Sequence, residues 1–169
     1  MPNFLQLKPE ELSRSPFQMI GKEWMLITAG TPEKVNTMTA SWGGLGVMWG
    51  KNVAFAVIRP QRYTKEFVEA NAGFSLSFYD ESFKKKLSYL GSVSGREEDK
   101  IAKVGFTTAF EDGIPYFEEA KTVLLCKKLF RQDYKAESFL DASLLERWYP
   151  EQDLHTLYIA EVTKILSEQ

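Results

Sequence analysis

The residues with the most chemistry per position lie between Asn36 and Gly50, where the sequence reads NTMTASWGGLGVMWG. Alternation along NTMTASW places Thr37, Thr39 and Ser41 on one side of an extended strand and Met38, Ala40 and Trp42 on the other. A flat heteroaromatic ligand asks for such a mixture: an apolar contact for its ring face, and N–H or O–H donors for its polar edge. The GGLG run that follows would let backbone approach that ligand, because glycine carries no Cβ. A strand with a hydroxyl face leading into a glycine turn accounts for the same residues with no ligand at all.

A second stretch, RPQRYT, follows an apolar run and opens a helical one. Arg59, Pro60, Arg62, Tyr63 and Thr64 therefore sit where free amides, the helix dipole and arginine forks favour a phosphate. A solvated strand-to-helix turn would carry the same residues. Further on, SVSGREEDK brings Ser94, Gly95, Arg96 and Lys100 together around another helix start, either as a second anion contact or as a capped, exposed helix. There is no GxxxxGK[ST] P-loop, and GGLGVMWG lacks the strand and helix that flank a dinucleotide fingerprint.

Single residues narrow the chemistry. His155 is the only histidine, which excludes a histidine-based metal site and a two-histidine relay and weakens any nucleophilic triad around Ser41 or Ser94. It opens a strand, as a structural residue or as a substrate contact. Cys126, the only cysteine, can form neither an internal disulfide nor a zinc cage, and within TVLLCKKL it reads as a buried small hydrophobe rather than a redox thiol. No metal ligand set is predicted. Glu97 and Glu98 suit a helix start better than an acid–base dyad. Trp148 and Tyr149, before Pro150, could pack on a partner subunit or over a ligand.

These residues need a scaffold. The sequence predicts strands over Glu23–Gly30, Asn36–Trp42, Asn52–Arg59, Phe74–Asp80, Lys121–Tyr134 and Leu154–Leu166. Helices are predicted in YTKEFVEANAG, with Thr64 as N-cap and Gly73 as stop, and in ESFKKKLSYLGS. Two more are predicted in SGREEDKIAKVG, with a Ser94/Glu97 capping box and Gly105 as stop, and in AESFLDASLLERWYP. Strands do not alternate with long helices, so a doubly wound parallel sheet is disfavoured, and a mainly β, antiparallel barrel with flanking helices is expected. No linker divides residues 1–169, which read as one domain. The net charge of −2 and the absence of a long basic block argue against nucleic acid and anionic membranes; Lys84, Lys85 and Lys86 read as a solvated helix face. The start MPNFLQLKPEELSRS lacks a signal-peptide pattern, and no apolar run approaches the ~18 residues of a membrane span. A cytoplasmic protein is expected. Aromatic residues make up 14% of the chain, enough to build ligand walls and interfaces as well as core.

Four segments carry a resemblance: NTMTASWGGLGVMWGKNVAFAVIRPQRYT, FSLSFY, SGREEDK and the closing HTLYIAEVTKI. In this order and spacing they resemble the flavin reductase-like proteins of the FMN-binding split-barrel superfamily, the flavoredoxin group among them. The resemblance implies an antiparallel split β-barrel, usually a homodimer, holding FMN without a covalent link. It implies that Thr37, Met38, Thr39, Ala40, Ser41 and Trp42 line the isoalloxazine edge and ribityl chain. Arg59, Pro60, Arg62, Tyr63 and Thr64 would lie near the phosphate, with Ser94, Gly95, Arg96 and Lys100 as secondary contacts. Trp42 and Trp49 would wall the ring or the dimer interface. NADH or NADPH would donate hydride, and free flavin or an acceptor protein would receive it. The family often has an Asp-His pair followed by Gly-Glu-Val; here DLHTLYIAEV separates Asp153 from His155 by a leucine and puts Ala160 in the glycine's place. That departure bears on nicotinamide oxidation, the reaction with which the family histidine is associated, and so on His155 as a catalytic candidate. A flavoredoxin-like electron carrier and a cofactor-free dimeric binding module are the alternatives.

Overall fold

Alternating apolar residues pair into one antiparallel eight-stranded sheet and a separate two-stranded hairpin in the computed structural model, which describes residues 2–168. The strands are β1 (Phe4–Leu7), β2 (Met25–Thr31), β3 (Lys34–Ala40), β4 (Gly43–Met48), β5 (Lys51–Ile58), β6 (Gly73–Phe78), β7 (Thr108–Glu111), β8 (Ile114–Phe117), β9 (Thr122–Asp133) and β10 (Thr156–Glu168). The helices are α1 (Pro16–Gln18), which runs on as a π-turn over Met19–Glu23, α2 (Tyr63–Ala70), α3 (Lys84–Ser92), α4 (Lys100–Val104) and α5 (Ser143–Trp148).

The main sheet runs β3-β2-β6-β9-β10-β5-β4, with β1 also on β10. Its two end strands, β3 and β4, are consecutive in the chain, and only Ser41 and Trp42 lie between them. Ala40 and Gly43 can stand no more than about 11 Å apart. The sheet must therefore curl until its edges nearly meet, yet no ladder joins them. This is the split barrel that the family resemblance implies, and the split lies at the residues that open the chemical argument. Register shifts in β10 at Ile159/Ala160 and Val162/Lys164 let that long strand bend with the curl.

Period two divides the core. Met25, Ile27, Met38, Ala54, Ala56, Phe74, Leu76, Leu124, Cys126, Tyr158 and Ala160 fill one cluster, closed by Val68 of α2. Leu26, Val123 and Leu125 turn to the other side and meet Leu87 and Leu90 of α3, with Phe106 and Phe117. Strands buried on both faces read as nearly continuous apolar runs. Cys126 lies wholly inside the first cluster, as expected, and burial pushes its thiol far above the ordinary range.

The six expected strands all form, and four more join them. The GGLG run is part of β4 and not a turn. Gly43 has φ of 146°, and a Cβ there would lie 2.4 Å from the Phe55 carbonyl oxygen, so this glycine serves strand pairing rather than approach to a ligand. The turn comes at Trp49 and Gly50, both at positive φ, a two-residue hairpin loop. Helix ends also differ. α2 starts one residue before Thr64 and ends at Ala70. α4 starts at Lys100, where the Asp99 carboxylate accepts from the Ala102 amide, so Ser94 and Glu97 close a turn and not a capping box. Gly105 ends it in the left-handed conformation, as predicted. Of the stretch from Ala136 to Pro150, only a 3₁₀ turn and α5 are helical. No helix among the described residues is long and apolar enough to cross a membrane.

Candidate functional site

A cavity of about 200 Å3 opens at the split. Met38, Thr39, Ala40, Ser41 and Trp42 line it from the end of β3, Val57 and Arg59 from the end of β5, Arg62 from the start of α2, and Trp148 and His155 from the connection between β9 and β10. A second hollow of about 290 Å3 shares Thr39, Ala40, Ser41 and Arg62 and continues to Leu87, Ser88, Gly91 and Ser92 of α3. The two volumes together fall within the ~300–1,000 Å3 of small-molecule sites. β3 pairs with β2 on one side only, so half of its N–H and C=O groups face the free edge.

The hydroxyl row is used differently from the sequence expectation. Thr37 is fully buried; its Oγ1 lies 2.8 Å from the Thr28 hydroxyl and donates to the Ile27 carbonyl at 3.1 Å. Thr39 Oγ1 donates to the Leu87 carbonyl. These two hydroxyls tie β3 to β2 and to α3; Thr39 lines the cavity and Thr37 lies behind it, inside the sheet.

The arginines divide. Arg59 Nη1 lies 2.8 Å from the Asp153 carboxylate and Nη2 donates to the Trp148 carbonyl at 2.9 Å, while its guanidinium lies 4.8 Å from the Tyr149 ring centroid. It latches the β9–β10 connection. Arg62 Nη1 donates to the Gly91 carbonyl at 2.8 Å, at the C-terminal end of α3, and Arg62 lines both hollows. Burial, then the neighbouring Arg59, lowers its affinity for its proton, the condition of a cation short of a counter-anion.

The aromatic walls are Trp42 and Trp148, edge-to-face at 5.0 Å, with the His155 ring 5.2 Å from Trp42. His155 is 6% exposed, and its Nδ1 lies 2.6 Å from the Tyr149 hydroxyl. Burial, then the positive field of Arg59, pulls its pKa down to about 4, with Asp153 opposing. The ring is neutral at physiological pH.

The remaining predicted residues gather behind the cavity. Pro60 lies in the exposed turn after β5. The Thr64 hydroxyl accepts from the Asn36 amide at 2.9 Å, and the Tyr63 hydroxyl accepts from Lys34 at 2.6 Å. Arg96 lies over the Tyr63 ring and pairs with Glu66, and Ser94 Oγ accepts from the Arg96 amide. A Cβ on Gly95 would come within 2.1 Å of Asn36 Oδ1. Lys100 is buried and donates to the Leu90 and Val93 carbonyls; burial and Arg62 pull its pKa down to about 8. Met38 to Trp42, Arg59, Arg62 and His155 thus share one cavity, whereas Thr37, Pro60, Tyr63, Thr64, Ser94, Gly95, Arg96 and Lys100 lie outside it. Val57 and the C-terminal end of α3 join the site without having been singled out in the sequence. Of the aromatic pair before Pro150, Trp148 lines the cavity, while Tyr149 and Asp153 stand behind it, against His155 and Arg59.

The flavin reductase like domain, as a family model, matches residues 18–169. This chain belongs to the flavin reductase-like family. Among solved structures it is similar to a flavoredoxin from Methanosarcina acetivorans (21% identity, TM-score 0.70, covering 87% of this chain and 69% of that one). It is also similar to an FMN-binding domain of a flavin reductase-like enzyme from Shewanella baltica OS155 (17%, TM-score 0.71, 99% and 78%). A third is the styrene monooxygenase flavin reductase from Pseudomonas putida S12 (17%, TM-score 0.63, 86% and 79%). These likenesses establish the fold. No curated protein matches the sequence.

Proposed function

We propose that this chain binds FMN across the split and takes hydride from NADH or NADPH, passing it to free flavin or to an acceptor protein. The observation that carries the reading is the meeting, in one cavity, of the free β3 edge, two tryptophans, Arg62 and His155. The residues fit the cofactor. Met38, Val57 and Trp42 offer apolar contact to a ring, the edge amides of β3 offer donors to its pyrimidine side, and the Arg62 guanidinium offers charge and donors to a phosphate. FMN supplies, when bound, the reversible acceptance of a hydride or of single electrons. The protein's share is to bind, orient and keep water away. Arg62, and not the latched Arg59, neutralises the phosphate; Trp42 and Trp148 shield the ring; His155, held neutral, orients the nicotinamide by hydrogen bonding rather than by giving up a proton. Hydride transfer needs no acid or base, consistent with a site that has none poised near neutrality.

Val47, 69% exposed, and Met48 stand on β4, whose outer edge is unpaired, and Trp49, 56% exposed, follows in the hairpin loop. This strand supports the homodimer implied by the family resemblance, and a cytoplasmic location belongs to the same reading. One observation favours a flavoredoxin-like electron carrier instead: Asp153 is held by Arg59 and Gln61, and His155 is paired with Tyr149, so no Asp-His pair faces the cavity. Equilibrium titration with FMN and with riboflavin tests the cofactor assignment. FMN should bind far more tightly; equal affinities would remove the phosphate end of the site.

A further inference from the structure

Thr156 and Asp133 are register partners on β10 and β9, yet the chain between them runs from Tyr134 to His155. An antiparallel hairpin needs only about 2–5 connecting residues. The excess length folds over the split and carries Trp148, Tyr149, Asp153 and His155, and Arg59 fastens it.

We propose that Tyr149 is a positioning residue for His155: its hydroxyl donates to Nδ1 and so fixes the imidazole tautomer that turns an Nε2–H donor toward the cavity. The geometry leaves one consistent arrangement of hydrogens. Tyr149 is 6% exposed, and its hydroxyl has no hydrogen-bond partner among the described residues other than His155 Nδ1, at 2.6 Å. Were Nδ1 to carry the proton, the hydroxyl hydrogen of Tyr149 would be buried without an acceptor. With Tyr149 donating, the ring proton sits on Nε2, which has no acceptor among the described residues, and the ring lines the cavity beside Trp42 and Trp148. Tyr149 is itself held in place. Arg59 lies over its ring, Phe139 meets it edge-on at 5.7 Å, and its amide donates to the Leu145 carbonyl as α5 ends.

The charged and titratable groups around the imidazole are Arg59 from the end of β5, Arg62 from the start of α2, and Asp153, Tyr134 and Tyr149 from the connection itself. Burial and the two arginines outweigh Asp153, so the ring stays neutral and the donor persists through the physiological range. The natural acceptor is a carbonyl oxygen on a flat ligand in the cavity, the nicotinamide carboxamide in the reading given above, on which this step rests.

The single histidine makes the test direct, since the ring nitrogens of the tag-free, 15N-labelled full chain give one set of signals. Long-range 1H–15N spectra should show the Nε2–H tautomer and no titration above about pH 5. Tyr149→Phe should mix the tautomers and raise the titration midpoint, because the neutral ring loses its donor. It should also raise KM for the nicotinamide severalfold with FMN affinity unchanged. An Nδ1–H tautomer in the unaltered protein overturns the proposal without any variant, as does a Tyr149→Phe spectrum identical to the parent's. The correct tautomer in a protein whose bound FMN oxidises neither nicotinamide would uphold Tyr149 and overturn the hydride-donor reading instead.

Discussion

At the residue scale the two arginines of RPQRYT have different work, though the sequence presents them alike. Arg62→Ala should weaken FMN by about 10–100-fold, the value of a charge-assisted hydrogen bond of about 1.5–3 kcal/mol, and leave riboflavin nearly unaffected. Arg59→Ala removes the latch to Asp153 and Trp148 and should weaken both flavins alike. Fluorescence titration of both flavins against both variants separates the roles; an FMN-selective loss at Arg59 would reverse the assignment. His155 gives a second expectation. Its folded pKa of about 4 lies below the ordinary 6.5, so between those values the unfolded chain binds more protons. The stability tied to this group is complete above pH 6.5 and is lost as pH falls toward 4. Urea midpoints should drop across that window in the parent, and His155→Gln should remove part of the drop. Residue types pointed to a flat ligand along Asn36–Trp42 and to a phosphate at Arg59–Thr64, and the family resemblance added His155. They could not separate Arg59 from Arg62, because the difference lies in Trp148 and Asp153, 89 and 94 residues beyond Arg59 and outside any local pattern.

At the element scale, the six strands with clear apolar alternation were legible, and β4 was not. Glycine has poor strand propensity, so GGLG reads as a turn until the β5 backbone beside it is known. The structure makes a sharp contrast of neighbours. Gly43→Ala would force a Cβ to within 2.4 Å of the Phe55 carbonyl at a φ of 146° and should cost about 2–4 kcal/mol. Gly44→Ala meets only the Phe55 ring at 3.7 Å and should lie within about 0.5 kcal/mol of the parent. Denaturant unfolding of the two variants checks this, and equal losses would contradict the pairing of β4 with β5. The helix starts were misplaced for a related reason. Thr64 and Ser94 look like caps, but the Thr64 hydroxyl is taken by Asn36 and Ser94 belongs to a turn, while Asp99 caps α4. Tertiary partners outbid local capping signals here.

At the scale of the molecule, the antiparallel, mainly β class followed from strand spacing and the lack of long helices, whereas the split required knowing that β3 and β4 stand at opposite ends of the sheet. That one topological fact places the cavity. It also leaves β4 with an apolar, unpaired edge. Sedimentation should find two chains per particle, and Val47→Glu should shift the particle toward one; a dimer indifferent to Val47→Glu would place the interface elsewhere. The most direct test of the central claim is the visible spectrum of the purified protein loaded with FMN, mixed with NADH and then NADPH without oxygen. A bound-flavin band that bleaches rapidly with one of the nucleotides is the expected result. A protein that takes up no FMN would contradict the account at its foundation, and a bound flavin that bleaches with dithionite but with neither nucleotide would contradict the hydride donor and make the chain an electron carrier.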